Sequence, residues 1–262
     1  MPPKCWETIE FLSGSIHRYH VLKALRDHPL AIRDLKNELN APRPTIQRNV
    51  KELEEKGWVK RVEGGYQTTL IGRLILDEFT EAVNSVRQVQ SVAPFFEWTD
   101  DLPGLAADTL EGSVVTTPEP HRPHNPMNAL IESLRDANRV KALVPTLSAL
   151  FLDRYFSSER AAETVVELTL SKDVAKMLRH FETATDIRFG KQDNIDCYVY
   201  EGEIPIGIFR FNGQLSLTSY DEEGRVRALL ESETEPAINW AENLYDQYRS
   251  TAVEFSEVEI AK

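Results

Sequence analysis

Between residues 31 and 53 the apolar positions fall into two short helical blocks with a break between them. In the first block Ile32, Leu35 and Leu39 recur at helical spacing, and Asn40-Ala41-Pro42 then stops the helix in a tight turn. Pro44 suits the start of a second helix, where a missing N–H costs nothing, and Ile46, Val50 and Leu53 form one apolar stripe along it. At about 100° per residue, the positions opposite that stripe are Gln47, Arg48, Lys51 and Glu55, with Arg43 and Thr45 at the N-terminal end. Beyond Gly57 the period changes to two: Trp58-Val59-Lys60-Arg61-Val62 alternates as a strand, Glu63-Gly64-Gly65 turns, and Tyr66-Gln67-Thr68-Thr69 returns. Helix, turn, helix and hairpin in that order predict a winged helix-turn-helix, with Lys60 and Arg61 flanking the wing tip.

Upstream, Ile9, Leu12, Ile16, Val21, Leu22 and Leu25 supply the first helix of a tri-helical core. Downstream, Leu70 to Ala93 reads as a long helix in which Ile75, Phe79, Ala82, Val86, Val89 and Ala93 follow 4-3-4-3-4 spacing. That is the seam of a coiled coil, and the expected role is dimerisation through Ile75, Phe79, Ala82, Val86 and Val89. A second domain is expected from Pro94. Its predicted strands are 113–116, 140–144, 164–170, 187–189, 197–200, 206–211, 214–219 and 226–230; its helices are 128–137, 147–156, 172–181 and 236–249. Asn212-Gly213 marks a two-residue hairpin. The expected fold class is α+β: a winged helix-turn-helix domain over 1–70, a linker helix over 71–93, a mixed α/β domain over 94–252, and a charged, frayed tail over 253–262.

Charge sharpens this picture. Residues 1–90 carry 14 Lys and Arg against 12 Asp and Glu, while the remainder carries 16 against 30, in a chain of net charge −12. Residues 43–73 hold 7 basic and 4 acidic side chains, an excess placed where a phosphate backbone would lie. The expected partner is double-stranded DNA, read by Arg43, Thr45, Gln47, Arg48 and Lys51, with Lys60, Arg61, Gly64 and Gly65 on the backbone or minor groove. The acidic remainder, with 19 Arg against 11 Lys, suits a high-salt cytoplasm. No secretory leader or membrane span is legible, so a cytoplasmic protein is expected. Cys5 and Cys197 fall in different expected domains, which argues against a disulfide.

Several segments resemble the archaeal winged-helix regulators whose second domain is the methanogenesis-regulator middle domain, abundant in haloarchaea. These are Phe11-Leu12-Ser13-Gly14-Ser15-Ile16-His17-Arg18, Pro42-Arg43-Pro44-Thr45-Ile46-Gln47-Arg48, Glu55-Lys56-Gly57-Trp58-Val59, Tyr66 to Arg73, and Trp240-Ala241-Glu242-Asn243-Leu244-Tyr245. The resemblance implies sequence-specific transcription control, with a second domain that senses a metabolite or mediates assembly. Similarity to the TrmB-like regulators further implies a phospholipase D-like sheet. In such proteins a serine commonly precedes the recognition-helix arginine; here Pro42 does.

Enzymatic chemistry finds little support. A phospholipase D-like site needs His-x-Lys-x4-Asp, so that an imidazole attacks phosphorus while a lysine holds its oxygens, and the chain lacks that motif. There is no glycine-rich phosphate loop and no nucleophile elbow, so no enzyme activity and no cofactor are expected. The pairs His17/His20 and His121/His124 lack further ligands at metal spacing, and no metal is expected. Arg188, Arg210, Tyr198 and Tyr200 lie on or near strands that could line a pocket, but they define no ligand set. The expected partners are therefore DNA, a small-molecule effector and a second copy of the chain. The alternative function is a protein-interaction module whose winged helix binds protein. RNA binding would want aromatic stacking platforms that are missing.

Overall fold

The structure, a computed structural model, describes residues 3–99, 102–148, 151, 164–184 and 194–258. The chain divides into two compact units, Met1–Val86 and Arg87–Lys262, with helices dominating the first and a large sheet the second.

The first unit opens with α1 (Pro3–Ser13) and α2 (Ile16–Ala24), so the expected first helix is in fact two, parted at Gly14-Ser15. Helix α3 (Ile32–Leu39) and helix α4 (Arg43–Glu55) follow. The turn between them needs a left-handed residue, and Asn40 supplies it at φ 46°. Pro42 offers no side-chain cap to α4; its carbonyl instead accepts the Thr45 and Ile46 N–H groups. Leu22, Leu25, Leu35, Ile46, Val50, Leu53 and Trp58 close one buried core.

Strands β1 (Val59–Val62) and β2 (Gly65–Thr68) pair antiparallel. Leu30 and Tyr66 exchange both backbone hydrogen bonds, each 3.0 Å, an isolated bridge that ties the chain before α3 to the wing. The Thr69 hydroxyl accepts from the Gly72 N–H at 3.2 Å and so caps helix α5 (Leu70–Phe96). That helix was expected to stop at Ala93. It runs through Pro94 because Val92 and Phe95, on either side of the proline, are fully buried in the second unit's core.

In the second unit the elements are β3 (Val114–Thr116), α6 (Asn125–Leu134), β4 (Arg139–Val144), β5 (Val165–Ser171), α7 (Lys172–Ala184), β6 (Ile195–Tyr200), β7 (Gly207–Phe211), β8 (Gln214–Tyr220), β9 (Val226–Ser232), α8 (Glu235–Thr251) and β10 (Val253–Glu254). They form one eight-stranded mixed sheet in the order β10-β6-β5-β4-β7-β8-β9-β3. The β4-β5-β6 pairings are parallel and the others antiparallel. One face packs Leu130, Leu134, Val174 and Leu178 of α6 and α7 against Ala142, Leu168 and Cys197. The other packs Trp240, Ala241 and Leu244 of α8, with Phe95, against Leu143, Ile208 and Leu217. Asn212 and Gly213 turn β7 into β8 with φ of 47° and 78°, the two positive values that this tight hairpin requires.

One expectation is overturned in its first residues. The segment from Val253 was read as frayed, yet Val253 and Glu254 pair with β6, and Phe255 is buried beneath the Arg179 guanidinium, 4.2 Å from its ring centroid. The alternating Val-Glu-Phe-Ser run is too short to register as a strand amid its charges. Of the expected helix 147–156 and strand 187–189, with Arg188, only residues 147, 148 and 151 lie within the described residues.

Candidate nucleic-acid interface

Helix α4 has two chemically distinct sides. Ile46, Asn49, Val50 and Leu53 are buried against the core, while Arg43, Gln47, Arg48 and Lys51 stand in solvent and Thr45 is half-buried. Arg48 Nε lies 4.0 Å from Glu52, with 68 % of the arginine side chain exposed. Glu52 has a better partner: Arg18 Nε donates to it at 2.8 Å, and Arg18 in turn lies over the Phe11 ring and donates to the Phe11 carbonyl. Glu52 is therefore held by Arg18, and Arg48 is free to swing outward with little loss. Lys51 and Glu55 form a second loose pair, 3.7 Å apart, on the same exposed side. Such exposed pairs contribute about 0.3–0.5 kcal/mol and do not bind the cations in place.

The wing presents Lys60 and Arg61, both exposed and on opposite faces of β1 because neighbouring strand residues alternate. Its two glycines differ. Around Gly64, at φ 88°, a Cβ would meet nothing within 4 Å. At Gly65, with φ 148°, a Cβ would lie 2.2 Å from the Leu30 carbonyl oxygen. Gly65 therefore serves the join between the wing and Leu30, and Gly64 is the open residue at the tip. The charge count over 43–73 passed over two further exposed cations, Arg33 and Lys36 on α3. It also counted Lys56, whose ammonium sits over the Phe11 ring at 4.5 Å and is engaged there.

The expected dimerisation residues divide. Ile75 and Phe79 are partly buried against the first unit's own core, and the Phe79 and Tyr19 rings are 5.9 Å apart. Ala82, Val86 and Val89 are exposed. Two residues outside the heptad reading, Ile71 and Leu74, are exposed as well, at 51 and 54 %. At 100° per residue Ile71, Leu74, Ala82, Val86 and Val89 lie within about 60° of one line, an apolar solvent-facing stripe. By the same reckoning Ile75 and Phe79 lie about 40° and 80° round from that line, at the edge of the stripe nearest the buried Leu76.

In the second unit Arg210 and Tyr198 are engaged with α8: Arg210 bonds Glu242, and Arg249 lies over the Tyr198 ring. Tyr200 packs edge-on to Tyr248. The Tyr245 phenol donates to Glu167 at 2.8 Å, and burial first, then that carboxylate, pushes its pKa well above the ordinary value of 10.0. Among the described residues no group of three or more His, Cys, Asp or Glu side chains could hold a metal ion, and no helix is long and apolar enough to cross a membrane. Cys5 is exposed and Cys197 buried, and no disulfide joins them.

Residues 6–91 match the family described as the HVO_A0261 N-terminal domain, and residues 123–251 match the middle domain of the methanogenesis regulatory protein FilR1. The chain belongs to the archaeal regulators that join these two domains. In this regulator the first match holds all of α2, α3, α4, the wing and most of α5. The second runs from just before α6 into the last turn of α8, and the flanking strands β3 and β10 complete its sheet.

No curated protein matches the chain in sequence. Among solved structures it is similar to TrmBL2, an archaeal chromatin protein described as showing a novel mode of DNA binding, at TM-score 0.42 and 14 % identity over 95 % of this chain and 98 % of that one. It is also similar to NucT from Helicobacter pylori, at TM-score 0.41 and 13 % identity over 54 % of this chain and 98 % of that one. A third likeness is to Nuc of Salmonella typhimurium, a phospholipase D family member, at TM-score 0.40 and 7 % identity over 54 % of this chain and 97 % of that one.

Proposed function

We propose that this regulator binds DNA sequence-specifically, inserting α4 into the major groove and laying the Gly64 tip of the wing along the backbone or minor groove, while its second unit senses a metabolite or mediates assembly. The observation that carries the reading is the exposed side of α4. Arg43, Gln47, Arg48 and Lys51 stand together in solvent on a helix whose opposite side is locked into a core. Arginine and glutamine are the side chains that pair two-pronged with guanine and adenine edges. Lys60, Arg61 and Arg33 supply sequence-independent phosphate contacts around them. The exposed stripe of Ile71, Leu74, Ala82, Val86 and Val89 joins two copies, so that two α4 helices address half-sites about one turn of DNA apart.

Selection of the full chain against a pool of random duplexes tests this reading. The expected result is an enriched motif with two-fold symmetry. A pool that stays random after several rounds, at salt from 0.1 M to the molar range, would overturn base reading and favour a winged helix that binds protein.

A further inference from the structure

A cavity of about 370 Å³ opens beside the Asn212-Gly213 hairpin, and among the described residues that line it three are cations: Arg139, Lys141 and Arg210. Their arrangement runs against ordinary sheet pairing. Lys141 on β4 and Arg210 on β7 are direct cross-strand partners, and like charges so placed repel. Arg139, two residues before Lys141, projects from the same face and adds a third charge.

Nearby carboxylates offset only part of this. Glu242 bonds Arg210, which leaves most of that guanidinium's five donors unspent. Glu167 stands 3.8 Å from the Lys141 ammonium, beyond hydrogen-bond reach, and already accepts from the Tyr245 phenol. Arg139 pairs with no carboxylate among the described residues. The wall is fixed: Asn212 donates to the Asp136 carbonyl at 3.0 Å and tethers the hairpin to the loop that enters β4. A preset, partly uncompensated set of two guanidiniums and an ammonium is the equipment for gripping an oxyanion from several sides. The volume lies near the small end of the range for ligand pockets.

We propose that this cavity binds a small dianionic metabolite, a phosphate monoester or a dicarboxylate, through Arg139, Lys141 and Arg210. The proposal deepens the sensing half of the function above and is independent of the DNA-binding half. Helix α8, which carries Glu242 and Tyr245, packs in the same core as Val92 and Phe95 at the end of α5. A ligand that draws Arg210 from Glu242 thereby acts on the helix that leads out of the winged helix.

Calorimetric titration of the full chain with glucose 6-phosphate, inorganic phosphate, succinate and neutral glucose tests it, beside Arg139→Gln. Among the described residues Arg139 has no ion pair to lose, and its removal relieves repulsion from Lys141 and Arg210, so the variant's unfolding midpoint without ligand is no lower than the wild-type value. One dianion class binds at one per chain, neutral glucose does not, and Arg139→Gln weakens binding about 10- to 100-fold. Binding by the phosphates alone assigns a phosphorylated effector, and binding by succinate alone assigns a carboxylate. No heat from any anion, equal affinity in the variant, or binding of glucose alone overturns the site. Operator affinity with and without the bound anion separates the two readings: a several-fold change supports sensing, and an unchanged affinity despite intact anion binding overturns the sensing role alone.

Discussion

Replacing Arg48 with alanine isolates the base-reading term. In the free protein Arg48 loses only its 4.0 Å contact with Glu52, a surface i,i+4 pair that contributes about 0.3–0.5 kcal/mol, and Arg18 still holds Glu52 at 2.8 Å. Folding stability should therefore change by less than about 0.5 kcal/mol. On DNA, a two-pronged contact to a base edge discriminates by about 1–3 kcal/mol, from which the cost of breaking the Glu52 pair is subtracted. The net loss is about 0.5–2.5 kcal/mol, or about 2- to 70-fold in operator affinity. Scrambled DNA should lose less than about twofold. Fluorescence anisotropy titrations on both duplexes, with a denaturation curve for each protein, measure all three numbers. Equal losses on operator and scrambled DNA would refute the reasoning, because Arg48 would then be a phosphate contact. Lys60→Ala serves as the contrast: it should weaken both duplexes alike and reduce the salt slope by about one.

Gly65→Ala should cost more than about 2 kcal/mol in chemical denaturation, since its Cβ meets backbone at 2.2 Å, whereas Gly64→Ala meets only the left-handed penalty of about 1 kcal/mol. Similar values for the two would remove the distinction between join and tip. Val86→Glu with Val89→Glu should convert a dimer into a folded monomer in sedimentation velocity, while Phe79→Ala should lower stability and leave the association state alone; a dimer that survives the paired glutamates would place the interface elsewhere. Tyr245 should remain a neutral phenol in the folded state above pH 10. Because the folded pKa is raised, its contribution to stability is complete below the unfolded value of 10.0 and is lost as pH rises beyond it. Tyr245→Phe should flatten that alkaline loss in pH-dependent melts, and an unchanged slope would contradict the assignment.

Local periodicity made the winged helix legible, because α4's stripe and the wing's alternation each need only a few neighbouring residues. What escaped depended on contacts distant in sequence. Gly65 reads as a turn glycine until Leu30 is found against it, 35 positions away. Asn49, outside the apolar stripe of Ile46, Val50 and Leu53, is nonetheless buried, and among the described residues neither of its amide atoms has a hydrogen-bond partner. The α5 heptad lies on one side of the helix, and only the fold shows that Ile75 and Phe79, at one edge of it, pack against the first unit's own core. Arg210 was named among strand residues with no ligand set. Its meaning depends on the β4–β7 register, which sets it opposite Lys141, and no local pattern encodes that register.

The central claim is that the exposed side of α4 reads base sequence. Chromatin immunoprecipitation of the full chain across the genome, in native salt and beside Arg48→Ala, tests it most directly. The account predicts sharp promoter peaks that share a symmetric motif and collapse in the variant; peaks that persist unchanged without Arg48, or no peaks in either protein, would contradict it.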